Sequence, residues 1–305
     1  MEWAGIAVLV AGQIMASRLF AGMRTAHGRM LVWPMVILAV AAADFLLVDH
    51  GAVARMAGIC MVLLAGMKAV VYVEWSEAGR RRLGWKSHVV FGVLWFGMNP
   101  GAFQKRGVHE GGSRWVMEGL AMMVLGTLLA LAVRWAGRDS VWALFVPMSL
   151  GFHFGALRVM AGIMRVSGFQ VKPLFRNPFG AATPADFWAK RWNLGYSHMM
   201  SLAVGRPLVP LLGKHGSIFA VFLISGLLHE LAITLPVRAG YGWPTVYFVL
   251  HGLLAMAPFH RLPAVPGRIA TALAVMVPLT LLFPAQFRHE VLVPLMEILP
   301  GPNNC

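Results

Sequence analysis

Nine long apolar runs parted by short polar connections constrain this chain more than any other feature: about 3–15, 31–49, 52–73, 117–134, 141–160, 194–212, 216–236, 243–258 and 268–283. A water-soluble helix or strand keeps a polar face, so it cannot use unbroken apolar stretches in such number. A bilayer core about 30 Å thick can, since it takes an apolar helix of about 20 residues. Only 12% of the residues are charged and 58% are hydrophobic, against about 25% charged in soluble domains. A soluble enzyme, a disordered chain and a disulfide scaffold are thereby excluded. So is an outer-membrane barrel, whose strands alternate instead of running apolar throughout. The expected fold is an all-α polytopic membrane protein. It has about 8–10 transmembrane helices, with interfacial and re-entrant segments around a central intramembrane cavity, in a single domain over residues 1–305. The first run follows Glu2 with no basic stretch before it, so it reads as a retained span, not a cleaved signal. Val89–Met98 is too short to cross and reads as re-entrant.

Twenty-six Lys and Arg stand against 12 Asp and Glu. In a polytopic chain such an excess marks cytoplasmic loops, not nucleic-acid binding. Counting crossings puts 18 of the 26 on one face: Arg18, Arg24, Arg29, Arg80, Arg81, Arg82, Lys86, Lys105, Arg106, Arg114, Arg158, Arg165, Lys172, Arg176, Lys190, Arg191, Arg238 and Arg288. That face should be cytoplasmic, with the amino terminus outside and the carboxyl terminus inside. The longest polar segment, 161–193, carries prolines and aromatics and reads as a bent stretch along the cytoplasmic interface. Cys60 and Cys305 make no recognisable pair.

Ionisable groups inside apolar spans are functional candidates. Lys68 is expected to snorkel to the interface. Asp44 has no evident role, and His153 and His251 fit packing, substrate contact or axial ligation equally. His229 differs, because Ser225-Gly-Leu-Leu-His-Glu230 puts a His–Glu pair inside a span with Ser225 one turn back on the same face. A neutral imidazole titrates near operating pH and is a practical general base there. No second His follows at zinc-helix spacing, and there is no Gly-x-Ser-x-Gly elbow and no phosphate loop.

Four segments in order carry a resemblance: Trp95-Phe-Gly-Met-Asn-Pro100, Asp186-Phe-Trp-Ala-Lys-Arg-Trp-Asn193, Ser225-Gly-Leu-Leu-His-Glu-Leu231 and Tyr247-Phe-Val-Leu-His-Gly252. They resemble motifs of the plant-type wax synthases, long-chain-alcohol O-acyltransferases of the membrane-bound O-acyltransferase superfamily. Phe96 departs from that pattern, which has proline there. The likeness covers about residues 95–255.

The resemblance implies acyl transfer from acyl-CoA to the hydroxyl of a lipophilic alcohol, with a wax-type ester as product. A sterol, carotenoid, glycerolipid or secondary-metabolite acceptor is the alternative. It implies His229 as the catalytic base and Asn193 as its polar partner. Asp186, Trp188, Lys190, Arg191, Trp192, Ser225, Glu230 and His251 are the motif residues expected at the substrate. Asp186 also fits a helix cap after Pro184, and Glu230 a brace for its helix. Lys190 and Arg191 suit the CoA phosphates. No metal or prosthetic group is required, acyl-CoA being a co-substrate. The expected partners are acyl-CoA, the alcohol and membrane lipids, without nucleic acid. The expected location is the inner membrane of a bacterium or the endoplasmic reticulum of a eukaryote. Readings of another class are a haem-binding membrane protein on His153, His229 and His251, and a transporter with helices broken at Pro147, Pro236 and Pro244. For Asn193 and His229 to share one cavity, the sixth span must bend near Gly205-Arg-Pro207.

Overall fold

The computed structural model describes residues 1–23, 25–77, 80–136 and 140–301, so Arg24 and Cys305 lie outside the described residues. Among these the regular structure is entirely helical. Seven helical stretches are long and apolar enough to cross a membrane, and Trp243–Met256 is a shorter apolar helix. The expected all-α polytopic membrane fold is present.

The first three crossings are α1 (Glu2–Phe20), α2 (Thr25–Leu46) and α3 (Ala52–Glu77). They share a core of Ile6, Val36, Val40, Leu47, Ile59 and Val62, all 2% exposed or less. The short helix α4 (Trp85–Leu94) follows and ends in an extended break at Trp95. A 3₁₀ turn, Pro100–Phe103, closes the excursion, so the segment read as re-entrant does not cross.

Next come α5 (Gly112–Trp135), α6 (Val141–Ser149) and α7 (Leu157–Val166), the last two joined by a π-helical stretch, Leu150–Ala156. A Cβ on Gly126 would stand 2.6 Å from the Gly151 nitrogen. Such backbone approach is how small residues hold membrane helices together.

The polar segment then carries α8 (Pro184–Lys190) and leads into α9 (Leu194–Met200), a π turn Ser201–Gly205 and α10 (Arg206–His229). The apolar stretch Leu194–Val237 runs 44 residues but is a hairpin. Gly213, at φ 65° and ψ −179°, breaks it, and Ser217 Oγ donates to the Gly205 carbonyl at 2.6 Å across the two arms. A π turn, Ser201–Gly205, stands immediately ahead of Pro207, where a bend is expected, and the full break of the helix falls at Gly213. A π turn Glu230–Thr234, a short α11 (Leu235–Val237), α12 (Trp243–Met256) and α13 (Ala264–Met276) complete the bundle.

Two clusters of polar contacts fix the ends of the bundle. At the basic end, Arg18 donates to the Leu83 carbonyl at 2.8 Å, Arg82 to Ala21 at 2.9 Å and Gln104 to Arg81 at 2.9 Å. At the opposite end, Asp44 pairs with Arg55 at 2.5 Å, and Arg55 donates to the carbonyls of Pro236 (2.8 Å) and Leu235 (3.3 Å). This is the role of Asp44 that the sequence did not reveal.

Several sequence expectations are corrected by this frame. Arg238 lies 3.7 Å from Asp44, and Arg288 stands 5.3 Å over Trp142 at the start of α6, so neither belongs to the basic face. The second arm of α10 runs about 24 Å from Gly213 to His229, toward the Asp44 end, which puts Lys214 on the basic face. Gly301 packs against Arg134 near the far end of α5, so the last described residue also sits opposite the basic end. The cause is residues 169–192, which do not lie flat on the interface. Phe169, Val171, Leu174, Phe175 and Ala181 are all 6% exposed or less. The Trp192 ring meets His153, mid-way along its crossing, at 5.2 Å. The segment dips into the bundle, so the arm after it starts at depth and returns to the basic face. Lys68 does not snorkel either: it is 2% exposed, and the re-entrant segment supplies its partner, the Gly97 carbonyl at 2.9 Å.

With Cys60 and Cys305 replaced, a cysteine at Lys214 should react with a membrane-impermeant thiol reagent from the same side as one at Arg176. A cysteine at Arg238 should react only from the other side. Labelling of positions 214 and 238 from one side would contradict this arrangement.

Candidate active site

α10 ends on His229, and the next turn is wound more widely as a π-helix. His229 Nδ1 lies 2.7 Å from the Ser225 carbonyl oxygen. A carbonyl only accepts, so Nδ1 carries the hydrogen and Nε2 keeps its lone pair. The imidazole is half-buried. Phe248 stands 4.2 Å from its centroid, and Tyr196 meets it edge-on at 5.7 Å. Ser225 thus serves His229 through its backbone. Its own hydroxyl, expected at the substrate, donates to the Val221 carbonyl at 2.7 Å.

Asn193 sits in the left-handed region, φ 40° and ψ 63°, as the N-cap of α9. Asparagine tolerates this backbone better than most residues. Its Oδ1 accepts the Tyr196 amide at 3.2 Å, which spends the carbonyl half of the carboxamide on the helix cap. The Nδ2 half is a donor and is not needed for capping. Asn193 and His229 are therefore joined through Tyr196, capped by the first and packed on the second.

The remaining motif residues divide into two groups. Trp188 Nε1 donates to His251 Nδ1 at 3.1 Å, and the Trp188 ring lies 5.6 Å from Phe248. His251 is 0% exposed. His251, expected at the substrate, orients Trp188, whose ring packs on Phe248 beside His229. Trp192 stacks on Phe187 at 5.5 Å and meets Phe175 edge-on at 4.9 Å. His153 accepts or donates at Ser149 Oγ, 2.8 Å away, and packs 5.0 Å from Phe175, so it joins the aromatic box around Trp192.

The second group stands apart. Glu230 Oε1 accepts from Gly242 N (3.1 Å), Thr245 N (3.0 Å) and Thr245 Oγ1 (2.8 Å), while Oε2 accepts from Thr234 Oγ1 (2.6 Å). A carboxylate is well suited to the positive end of a helix. Glu230, placed among the motif residues expected at the substrate, takes up the opening amides of α12 and braces its helix, as its other reading has it. Thr183, not Asp186, caps α8, with its side chain accepting the Asp186 amide at 3.0 Å. Asp186 instead accepts from Arg191 Nε at 2.6 Å, and Arg191 Nη1 donates to the Asn177 carbonyl at 3.0 Å. That pair pins the loop ahead of α8. Lys190 is exposed at the end of α8.

Sequence reasoning passed over Tyr196 and Phe248. Both had a readable signal: Tyr196 is three residues after the capping Asn193, and Phe248 is three before His251 in a quoted motif. Among the described residues, no group of three His, Cys, Asp or Glu is placed to hold a metal ion.

Residues 171–250, which include Trp188, Asn193, Tyr196, His229 and Phe248, match the profile of the Membrane bound O-acyl transferase family. On this stretch the chain resembles the membrane-bound O-acyl transferases. It is 34% identical over 143 residues to "Probable long-chain-alcohol O-fatty-acyltransferase 2" of Arabidopsis thaliana, covering 41% of either chain. It is 32% identical over 133 residues to "Long-chain-alcohol O-fatty-acyltransferase" of Simmondsia chinensis, covering 39% of this chain and 38% of that one. It is 26% identical over 153 residues to "Acyl-CoA--sterol O-acyltransferase 1" of Arabidopsis thaliana, covering 48% and 43%. The matches span about two fifths of the length of these relatives.

Replacing Glu230 by Ala would leave the Gly242 and Thr245 amides and the Thr245 hydroxyl without their acceptor, while the Thr234 hydroxyl keeps the backbone carbonyl of position 230. Hydrogen bonds to a charged group contribute about 1.5–3 kcal/mol. Glu230→Ala should lower the Tm of the detergent-solubilised protein by several degrees, read by a thermal-shift assay. An unchanged Tm would contradict the bracing role.

Proposed function

We propose that the protein is a membrane-embedded O-acyltransferase that moves a fatty acyl group from acyl-CoA to the hydroxyl of a lipophilic alcohol, forming a wax-type ester. The observation that carries this reading is the His229 tautomer. The Ser225 carbonyl holds the hydrogen on Nδ1, so Nε2 is the free base beside an aromatic wall. The family match over residues 171–250 and the names of the relatives support the same chemistry.

The chemistry follows from these groups. Nε2 takes the alcohol proton as the oxygen attacks the thioester carbonyl, since a free alcohol holds its proton too tightly to attack unaided. The carbonyl oxygen becomes an oxyanion, and Asn193 Nδ2 is the fixed amide donor offered to it. The intermediate collapses with cleavage of the C–S bond. The CoA sulfur leaves as a thiolate and takes the proton from the imidazolium, so His229 returns to its starting state. Thioester activation drives the step, and no prosthetic group or metal is called for. Acyl-CoA is proposed to enter from the basic end, taken here as the cytoplasmic face. Lys190 is the motif cation best placed for its phosphates, because the Arg191 guanidinium is occupied by Asp186 and Asn177.

The test is incubation of membranes carrying the protein with radiolabelled acyl-CoA and a panel of long-chain alcohols, a sterol and a diacylglycerol. Label should appear in wax ester. Label in steryl ester alone would change the acceptor, and none in any ester would overturn the reading.

His229→Ala should lower turnover by about 10²-fold or more, with expression unchanged. Near-normal turnover would remove His229 as the base. Asn193→Asp is the sharper change at the second site. It keeps an oxygen for the α9 cap and a residue at ease in the left-handed region, but removes the Nδ2 donor. It should lower kcat by about 10²-fold while leaving the Tm close to that of the unmodified protein. A large drop in Tm with kcat preserved would make Asn193 a cap and nothing more.

A further inference from the structure

Lys68 is a buried cation on a crossing, and the proposed chemistry leaves it unused. It sits mid-way along α3 and is 2% exposed. Its Nζ donates to the Gly97 carbonyl at 2.9 Å and stands 4.1 Å from the Phe91 ring centroid. A charged amine at this depth is costly and is retained where it does work. Gly97 belongs to Trp95-Phe-Gly-Met-Asn-Pro100, the motif the mechanism did not absorb. The chain is extended at Trp95, directly after α4, so backbone carbonyls there fall outside a helical ladder and need a donor.

The same piece of backbone abuts the reaction centre. A Cβ on Gly195 would stand 3.0 Å from Gly97 Cα and 3.2 Å from Met98 N. Gly195 lies in the first turn of α9, between the capping Asn193 and Tyr196, which packs on His229. Leu194 N also donates to the Leu174 carbonyl at 2.8 Å, closing the other side of that turn. The order of contact is therefore Lys68 to Gly97, Gly97 to Gly195, and Gly195 to the turn that fixes Asn193.

We infer that Lys68 is a positioning residue: by holding the Gly97 carbonyl it seats the re-entrant segment against Gly195 and so sets the Asn193 carboxamide relative to His229. It touches no substrate. The inference rests on the acyl-transfer reading for its kinetic consequence and on geometry alone for its structural one. Lys68→Met keeps the length and apolar stem of the side chain and removes the donor. Gly195→Ala presses on the same contact from the other side.

The decisive experiment is a double-mutant cycle with Asn193→Asp, together with amide hydrogen exchange of the purified proteins. Lys68→Met should lower kcat by about 10-fold with KM for acyl-CoA within about 2-fold, a loss typical of a misplaced group. In the Asn193→Asp background the same change should cost less than about 2-fold, because the group being positioned is already gone. Gly195→Ala should behave in the same way, and it decides the matter if Lys68→Met does not accumulate. Exchange should quicken in peptides covering 95–100 and 193–200 and stay unchanged in α5. Equal kcat losses in the two backgrounds, or unaltered exchange around 193–200, would overturn the inference. If the unmodified protein makes no ester, the functional reading fails by itself, and the exchange result still decides whether Lys68 seats this turn.

Discussion

Away from water, every backbone group that leaves a helical ladder must find a partner inside the protein, and the architecture follows from how this chain meets that demand. Several breaks in its helices are matched by polar side chains. Arg55 serves the carbonyls of Leu235 and Pro236, Lys68 that of Gly97, and Ser217 that of Gly205. Glu230 takes the amides that open α12, and Asn193 takes one that opens α9. Most of these contacts join segments well apart in sequence, and all but that of Lys68 fall on residues 193–245. The apolar faces make the crossings, and the polar partners decide which irregular geometry is allowed between them.

The nine apolar runs were legible because hydrophobic length alone marks a helix that spans a bilayer. An irregularity ahead of Pro207 was legible from Gly205 and Pro207 in the sixth run, and a π turn is found there. What escaped the sequence was depth. Residues 169–192 are polar and proline-rich enough to pass for a surface loop, yet Phe175, Phe187 and Trp192 lock into one another inside the bundle. Misjudging that one segment reversed the sense of every later crossing and carried Arg238 and Arg288 to the wrong face. Once the segment is placed at depth, the charge distribution follows the positive-inside rule with Lys214 on the basic face.

The candidate site shows the same division. His229 and Asn193 were visible as residue types in quoted motifs, and the structure links them through Tyr196. The partners of Glu230, Ser225 and Arg191 were not visible, because a motif records that a residue is present and not whether its polar atoms are spent on the fold. The rings of Phe248 and Tyr196 pack on the imidazole, and Trp188 packs on Phe248 behind it. In the proposed reaction such a wall would exclude water, the commonest competitor of an alcohol for an acyl group.

Wide π turns occur at Leu150–Ala156, Ser201–Gly205 and Glu230–Thr234, on three different crossings, the last directly after His229. A π turn is an α-helix carrying one surplus residue, held as a bulge so that the flanking turns keep their own register. Loss of that residue would restore a plain helix and leave both flanks in place, drawing the wall inward at one spot only. The spacing between crossings is thus adjustable in single-residue steps, independently of side-chain size. Among homologous proteins, differences in that spacing would then appear as one-residue gaps within crossings, where insertions are usually least tolerated.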